Sequence, residues 1–476
     1  MSAGAYAFGP FELDLTRRRL SAGGEPVAVS DRHLEVLSAL VVNAGRIVAK
    51  DDLVRAGWQD VAVGDNSLEQ AISGLRKLLG ERAGAVAYIE TVSRRGYRFV
   101  APVVRLAARE SDAALDALLA PHRSFVEGRA ALESLDPTQV AGALRVFEDA
   151  VRAVPDHAVA HLGLATACVM VFETTRADPA PDRSALGRAE HHARESCRLD
   201  PQSAESWATL GFVLGQTGDP AHHVDALAAL QRAKTLEPSN WRHHFRYASV
   251  SWGEERLRAA HRTLALLPGF PLAHWMAATV WVARQRLDDA VQELSSGLES
   301  GGDLPVQPTR FGAIALHWLR GLVRLAQGDE AGALADFERE LEVSAAPHLY
   351  ARECAANTHY AIGAVSLRRG RAADATTAFE RALERIPKHP MARAALRLPA
   401  RTSEEGATAF EIVSAQAVEH VLAGNHDRAA QLIDAALTFA PPGNAAWLLP
   451  VEPILSVAAH PPAWANALAR LRHRAV

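Results

Sequence analysis

The apolar positions of this chain follow two different rules. Up to about residue 104 the period changes every few residues. In "FGPFELDLTRRRLSA" and "EPVAVS" apolar and polar residues alternate, which predicts short strands with turns at Gly9-Pro10 and Gly23-Gly24. In "SDRHLEVLSALVVNAG" the residues Leu34, Leu37 and Val41 recur at helical spacing; Ser30 or Asp31 can cap that helix, and Asn43-Ala44-Gly45 ends it. A short helix is predicted at "KDDLVRAGW", then a loop at "QDVAVGD", then a third helix over 66–79. In the third helix Leu68, Ile72, Leu75 and Leu79 share one face, and Ser67, Gln70, Ser73, Arg76 and Lys77 fall towards the other. Asn66 and Glu69 stand in the capping-box relation and Gly80 is a stop. The segment closes with "YIETVSRRGYRFVAPV", a β-rich hairpin with Arg94, Arg95 and Gly96 at its turn.

From about residue 112 the texture is uniformly helical, and one phrase returns. An Ala is followed seven residues on by a small residue and twelve on by Pro: Ala143–Pro155, Ala189–Pro201, Ala226–Pro238, Ala375–Pro387 and Ala429–Pro441. Four of these copies carry a bulky residue four on (Phe147, Leu230, Phe379, Ile433), and Ala333 with Phe337 fits the phrase without the Pro. Six residues past a Pro a new helix is expected, as at Trp207 after Pro201 and Trp447 after Pro441. Small residues let paired helices approach, one bulky residue fills each layer, and Pro ends the second helix. This is a helix-hairpin repeat, similar to the tetratricopeptide repeat, and seven or eight units are expected between 121 and 460. "FETTRADPAPDRS" is expected to be an inserted loop. The fold class is therefore mainly α: an α+β domain over residues 1–104, a linker over 105–120 and an α-solenoid over 121–476.

Charge changes the picture slightly. Residues 1–105 carry a net charge of +2 within a chain of net −4. That permits a nucleic-acid-binding front end and excludes a general polyanion binder. Three cysteines, Cys168, Cys197 and Cys354, form no CxxC pair or disulfide framework, which points to a reducing, cytoplasmic setting. No signal peptide is read at the N-terminus. The apolar stretch "AVAHLGLATACVMVF" is interrupted by His161 and is too short for a bilayer, so no membrane anchor is expected.

The stretches "SDRHLEVLSALVVNAGRIVAKDDLVRAGW", "DNSLEQAISGLRKLLG" and "YIETVSRRGYRFVAPV" closely resemble the OmpR/PhoB-type winged-helix DNA-binding domain, in the branch of ToxR- and CadC-like regulators. The resemblance covers roughly residues 6–104. It implies that the helix at 66–79 enters the major groove of promoter DNA, that the hairpin is a wing reaching the adjacent minor groove, and that the loop 58–65 touches RNA polymerase. It also implies dimers on direct repeats. Polar residues on a helix in the major groove can meet base edges or phosphates. Ser67, Gln70 and Ser73 suit either; Arg76 and Lys77 suit phosphates, or Arg76 a guanine. Arg94 and Arg95 suit the backbone or a narrow minor groove. Leu68, Ile72, Leu75, Tyr97, Phe99 and Trp58 are read as core, and Arg98 as a member of a structural ion pair. The resemblance begins within ten residues of the N-terminus, so no receiver domain is expected ahead of it. Input is expected through the repeats or through abundance.

In the repeats, the position of the family's Trp aligns His244, His274, His317 and His359 in four units, followed by Phe245, Trp275, Trp318 and Tyr360. These rings either line a groove for a peptide, protein or small-molecule effector, with Arg242, Arg246 and Arg320 for an anionic group, or pack neighbouring repeats. The histidine pairs 191/192, 222/223 and 243/244 cannot readily share a metal, because neighbours on a helix diverge by about 100°. No cofactor, metal site or catalytic motif is read, and the expectation is a regulator rather than an enzyme.

Overall fold

The computed structural model describes residues 5–58, 65–80, 87–106, 125–299, 313–398 and 409–476, apart from residues 16, 94 and 179. The chain divides into two compact units, Met1–Pro121 and His122–Val476. The linker expected over 105–120 falls almost entirely outside the described residues.

The first unit begins with four short strands, β1 (Ala5–Phe8), β2 (Phe11–Asp14), β3 (Arg19–Ala22) and β4 (Glu25–Pro26). They are joined through turns in which Gly9, Gly23 and Gly24 adopt positive φ. Helices α1 (Asp31–Val42), α2 (Lys50–Trp58) and α3 (Asp65–Leu78) follow. Ser30 caps α1, its side chain accepting from the amide of His33. The hairpin is β6 (Ile89–Val92) against β7 (Gly96–Phe99), with Ile89 opposite Phe99 and Val92 opposite Gly96. Two strands go beyond the sequence reading. A two-residue strand β5 (Ile47–Val48) pairs with β7, and β8 (Val104–Leu106) pairs with β1. The result is a five-stranded sheet β4-β3-β2-β1-β8 and a three-stranded sheet β5-β7-β6. Both feed one core, where Phe8, Leu37, Leu53, Leu68, Leu75 and Phe99 are buried together. Neither added strand is long enough to show a period of its own; pairing with a neighbour defines it.

The second unit is a run of antiparallel helix pairs. They are α4 (residues 125–133) with α5 (Pro137–Ala153), α6 (Ala158–Thr175) with α7 (Arg183–Leu199), and α8 (Ala204–Gly215) with α9 (Pro220–Leu236). Next come α10 (Trp241–Val250) with α11 (Gly253–Leu266), α12 (Pro271–Ala283) with α13 (Leu287–Glu299), and α14 (Leu316–Ala326) with α15 (Glu330–Val343). Then α16 (Ala351–Arg368) pairs with α17 (Ala372–Arg385), and after a short α18 (Pro390–Ala395), α19 (Ala409–Leu422) pairs with α20 (His426–Phe439). The repeated phrase explains five of these hairpins. Helices α5, α7, α9, α17 and α20 end two residues before their Pro. The intervening residue is pushed to extended ψ, 77° to 139°, as its Pro requires. Its amide still donates to the carbonyl of the small seventh residue: Ala150, Ser196, Ala233, Ala382 and Ala436. In three hairpins the bulky residue four on meets a glycine of the first helix. Gly211 lies against Leu230, Gly321 against Phe337 and Gly363 against Phe379, each leaving no room for a Cβ.

Three readings change. The loop expected at "FETTRADPAPDRS" begins only after Thr175, because α6 continues to that residue. Among the described residues α6 is the one helix long and apolar enough to cross a membrane, and 56% of that stretch is buried in the repeat stack. After Pro441 no regular helix starts at Trp447. Instead 3-10 turns at Leu449–Val451 and Val457–Ala459 precede α21 (Pro461–Arg474). Pro441, Pro442, Pro450 and Pro453 each remove an amide that a longer helix would need.

Candidate nucleic-acid interface

Helix α3 is held by one face. Leu68, Ile72, Leu75 and Leu79 are buried, and Gln70, Ser73 and Lys77 are exposed. The exposed three stand at i, i+3 and i+7, so they form a single stripe along the helix. Ser67 is half-buried in the first turn, and the exposed Glu69 is paired with Lys50 at 3.4 Å. Because α3 begins at Asp65, Asn66 lies inside the helix and is not its cap; its side chain lies outside the described residues, as does Arg94.

The hairpin is built to present its turn. Gly96 has φ +136°, and a Cβ there would lie 2.0 Å from the carbonyl oxygen of Val48. Only glycine lets β7 approach β5 this closely. Tyr97 and Phe99 are buried, while Arg98 donates across the hairpin to Glu90 at 2.9 and 2.5 Å, the ion pair expected from the sequence. At the turn the Arg95 amide donates to the Val92 carbonyl at 3.0 Å, and the Arg95 residue is exposed. Trp58 is buried, with the Arg32 guanidinium 6.0 Å from its ring.

Arg76 is placed differently from its neighbours. Its Nε and Nη2 donate to the carbonyl of Ile89 at 3.2 and 2.9 Å, and Nη2 also donates to Thr91 Oγ1 at 2.8 Å. The side chain read as a phosphate or guanine contact is thus half-buried and spent on the hairpin. A signal was available in the sequence: Arg76 lies four residues after Ile72 and therefore borders the buried stripe.

In the repeats, the aromatic ladder is packed. Trp318 and Tyr360 are 8% and 5% exposed, so they are corrected from groove-lining to core residues. Phe245 lies edge-on to Phe270 at 4.9 Å, and Trp275 edge-on to Trp447 at 5.9 Å. Arg246 donates to Glu205 at 2.8 Å and to Thr209 at 3.3 Å, and the Arg242 guanidinium lies 4.7 Å from the Trp241 ring. Arg320 and Arg324 converge on buried Asp336. Two of the histidines before the rings face the second helix of their hairpin, His274 to Glu293 at 2.8 Å and His317 to Asp336 at 3.3 Å, whereas His244 bonds the Pro238 carbonyl ahead of α10 at 2.9 Å.

For Trp275, Trp318 and Tyr360 the C-terminal segment supplies part of this packing. Val451 shares one buried cluster with Ala278 of α12, Leu322 of α14 and Ala361 of α16, three successive first helices. Tyr360 donates to Glu452 at 2.5 Å, Arg368 to the Pro453 carbonyl at 2.6 Å, and Arg284 to the Ala475 carbonyl at 2.8 Å. Burial pushes the Glu452 carboxyl above its usual range, against the hydrogen bonds it accepts from Tyr360 and the Leu455 amide. The face that first helices would offer to an effector is thus covered there by the chain's own residues. The sequence concealed this because the contacts join residues about ninety or more positions apart. The described residues contain no group of three or more His, Cys, Asp or Glu that could hold a metal.

Residues 24–99 match the family model described as transcriptional regulatory protein, C terminal. The chain is 33% identical to the cholera toxin transcriptional activator of Vibrio cholerae over 116 residues, 23% of this chain and 39% of that protein. It is similar to the DNA-binding domain of Klebsiella pneumoniae RstA, solved in complex with the RstA box: 35% identity over 20% of this chain and 96% of that one, TM-score 0.19. It is also similar to a thermophilic tetratricopeptide-repeat protein of Thermus thermophilus, with 18% identity over 38% of this chain and 92% of that one, TM-score 0.32. The chain spans less than two fifths of the length of the Vibrio activators it matches. The strands, three helices and wing of the first unit define a winged helix. It is a winged helix of the OmpR/PhoB type, and the second unit is a solenoid of tetratricopeptide-like hairpins.

Proposed function

We propose that this protein is a sequence-specific, DNA-binding transcriptional regulator of the cytoplasm. Helix α3 enters the major groove of promoter DNA, with Gln70, Ser73 and Ser67 at base edges or phosphates and Lys77 at a phosphate. Arg95, with Arg94, reaches the backbone or minor groove from the wing. The observation that carries this reading is the exposed stripe Gln70, Ser73 and Lys77 opposite a fully buried apolar one, on a helix followed by a wing with a cationic turn. RNA polymerase would be met through the loop 58–65, most of which lies outside the described residues. The repeat unit would receive the signal, from a protein, peptide or small-molecule effector, and dimers would read direct repeats.

The test is equilibrium binding to a duplex selected from a random pool by the wild-type chain, measured across a salt series. Each lost phosphate contact lowers the slope of log K against log salt by about 0.9. Lys77→Ala and Arg95→Ala should each do so, while Gln70→Ala should broaden the base preference at one position. If wild type and an Arg95→Ala/Lys77→Ala variant bind equally weakly and with the same slope, the reading fails.

A further inference from the structure

We infer that Arg76 is a positioning residue: it ties the wing to the last turn of α3, so that helix and wing meet DNA at a fixed spacing. The inference rests on the DNA-binding reading above and adds to it how the two contact elements are coupled.

The geometry is specific. One planar guanidinium chelates a main-chain carbonyl on β6 through Nε and Nη2, and the same Nη2 reaches a hydroxyl two residues further along that strand. Ile89 and Thr91 are the first and third residues of β6, so the fork fixes both the distance and the angle of the strand to α3. The other side of the hairpin is anchored elsewhere, through β5 pairing with β7 and the close approach of Gly96 to Val48. That second anchor leads back to the segment between α1 and α2, not to α3. Arg76 therefore supplies a direct polar link from α3 to the wing. Lys77, the next residue, faces solvent, so the two adjacent cations divide the work: one outward, one holding the hairpin.

A lysine keeps the charge but cannot bridge a carbonyl and a hydroxyl as a rigid fork. The experiment compares Arg76→Lys, Arg95→Ala and the double variant in the full chain. Affinity is measured on a duplex selected by wild type, and amide hydrogen exchange is followed in the hairpin and in α1. Arg95→Ala alone should weaken binding about tenfold, the loss of a charge-assisted contact. In the Arg76→Lys background the same change should cost less than about twofold, because a wing no longer held at its spacing contributes little. Exchange should quicken at residues 89–99 and stay unchanged in α1. Wild-type affinity in Arg76→Lys would show a simple charge contact and overturn the inference. So would multiplicative losses, the mark of a separate contact or a general loss of stability, and so would an unchanged hairpin exchange. If wild type selects no duplex at all, the DNA-binding reading falls, and the exchange measurement alone still decides whether Arg76 holds the hairpin.

Discussion

Two Gly→Ala substitutions in helices of the repeat unit should act in opposite directions. At Gly363 in α16 an added Cβ would lie 2.5 Å from Cε1 and 2.7 Å from Cδ1 of Phe379. Phe379 is only 1% exposed, so its ring has nowhere to go. Overpacking of a filled core costs about 1–3 kcal/mol, and contacts this short belong at the upper end. Against it stands the helix propensity of Ala over Gly, worth about 1 kcal/mol. The net expectation for Gly363→Ala is a destabilisation of about 2 kcal/mol. At Gly142 in α5 a Cβ meets nothing within 4 Å, so only the propensity term remains. Gly142→Ala should stabilise by about 1 kcal/mol. The assay is urea unfolding of the full chain followed by far-ultraviolet circular dichroism, with hydrogen exchange in α5 and α16 to locate the change. Phe379→Leu added to Gly363→Ala should recover part of the loss by vacating ring volume. If Gly363→Ala stabilises as Gly142→Ala does, the glycine–aromatic contact does not set the distance between the paired helices, and the account of the repeat given above is wrong.

Gly96→Ala must strain a φ of +136° and meet the Val48 carbonyl; it should cost more than about 2 kcal/mol locally and abolish high-affinity DNA binding while the repeat unit melts as before. Tyr360→Phe leaves an oxygen of buried Glu452 without its hydroxyl donor, a loss of about 1–3 kcal/mol. Hydrogen exchange at residues 449–457 should quicken at least about fivefold, and a change spread evenly over the whole unit would contradict a local role for this bond in holding the C-terminal segment. His389 is buried; it caps α18 through Nδ1, bonds Asn357 through Nε2, and burial lowers its pKa from 6.5 to about 4. A folded-state pKa below the unfolded one means the neutral ring stabilises the fold. That contribution is complete above pH 6.5 and is lost as pH falls towards 4, on the order of 3 kcal/mol in all. The stability difference between wild type and His389→Gln should shrink over that window, and a constant difference from pH 7 to pH 4 would refute it.

By itself the sequence determined most of what depends on local period and local chemistry. The apolar stripe of α3, the Ser30 cap, the glycine turns and the Ala–small–Pro phrase each specify a piece of backbone within about a dozen residues, because helix and turn preferences act at that range. The exposed stripe of Gln70, Ser73 and Lys77 follows from the same periodicity. Tertiary structure decided what long-range contact decides. Strands β5 and β8 exist only because β7 and β1 offer them partners. Arg76 looked like a DNA contact until β6 was folded against α3 and supplied a carbonyl and a hydroxyl for its guanidinium. The ring ladder of Trp318 and Tyr360 could line a groove or fill one on sequence grounds, since an aromatic residue satisfies both. The return of residues 447–476 across α12, α14 and α16 settled it: burying that surface removes apolar area from water, and no local pattern records which distant segment will do so.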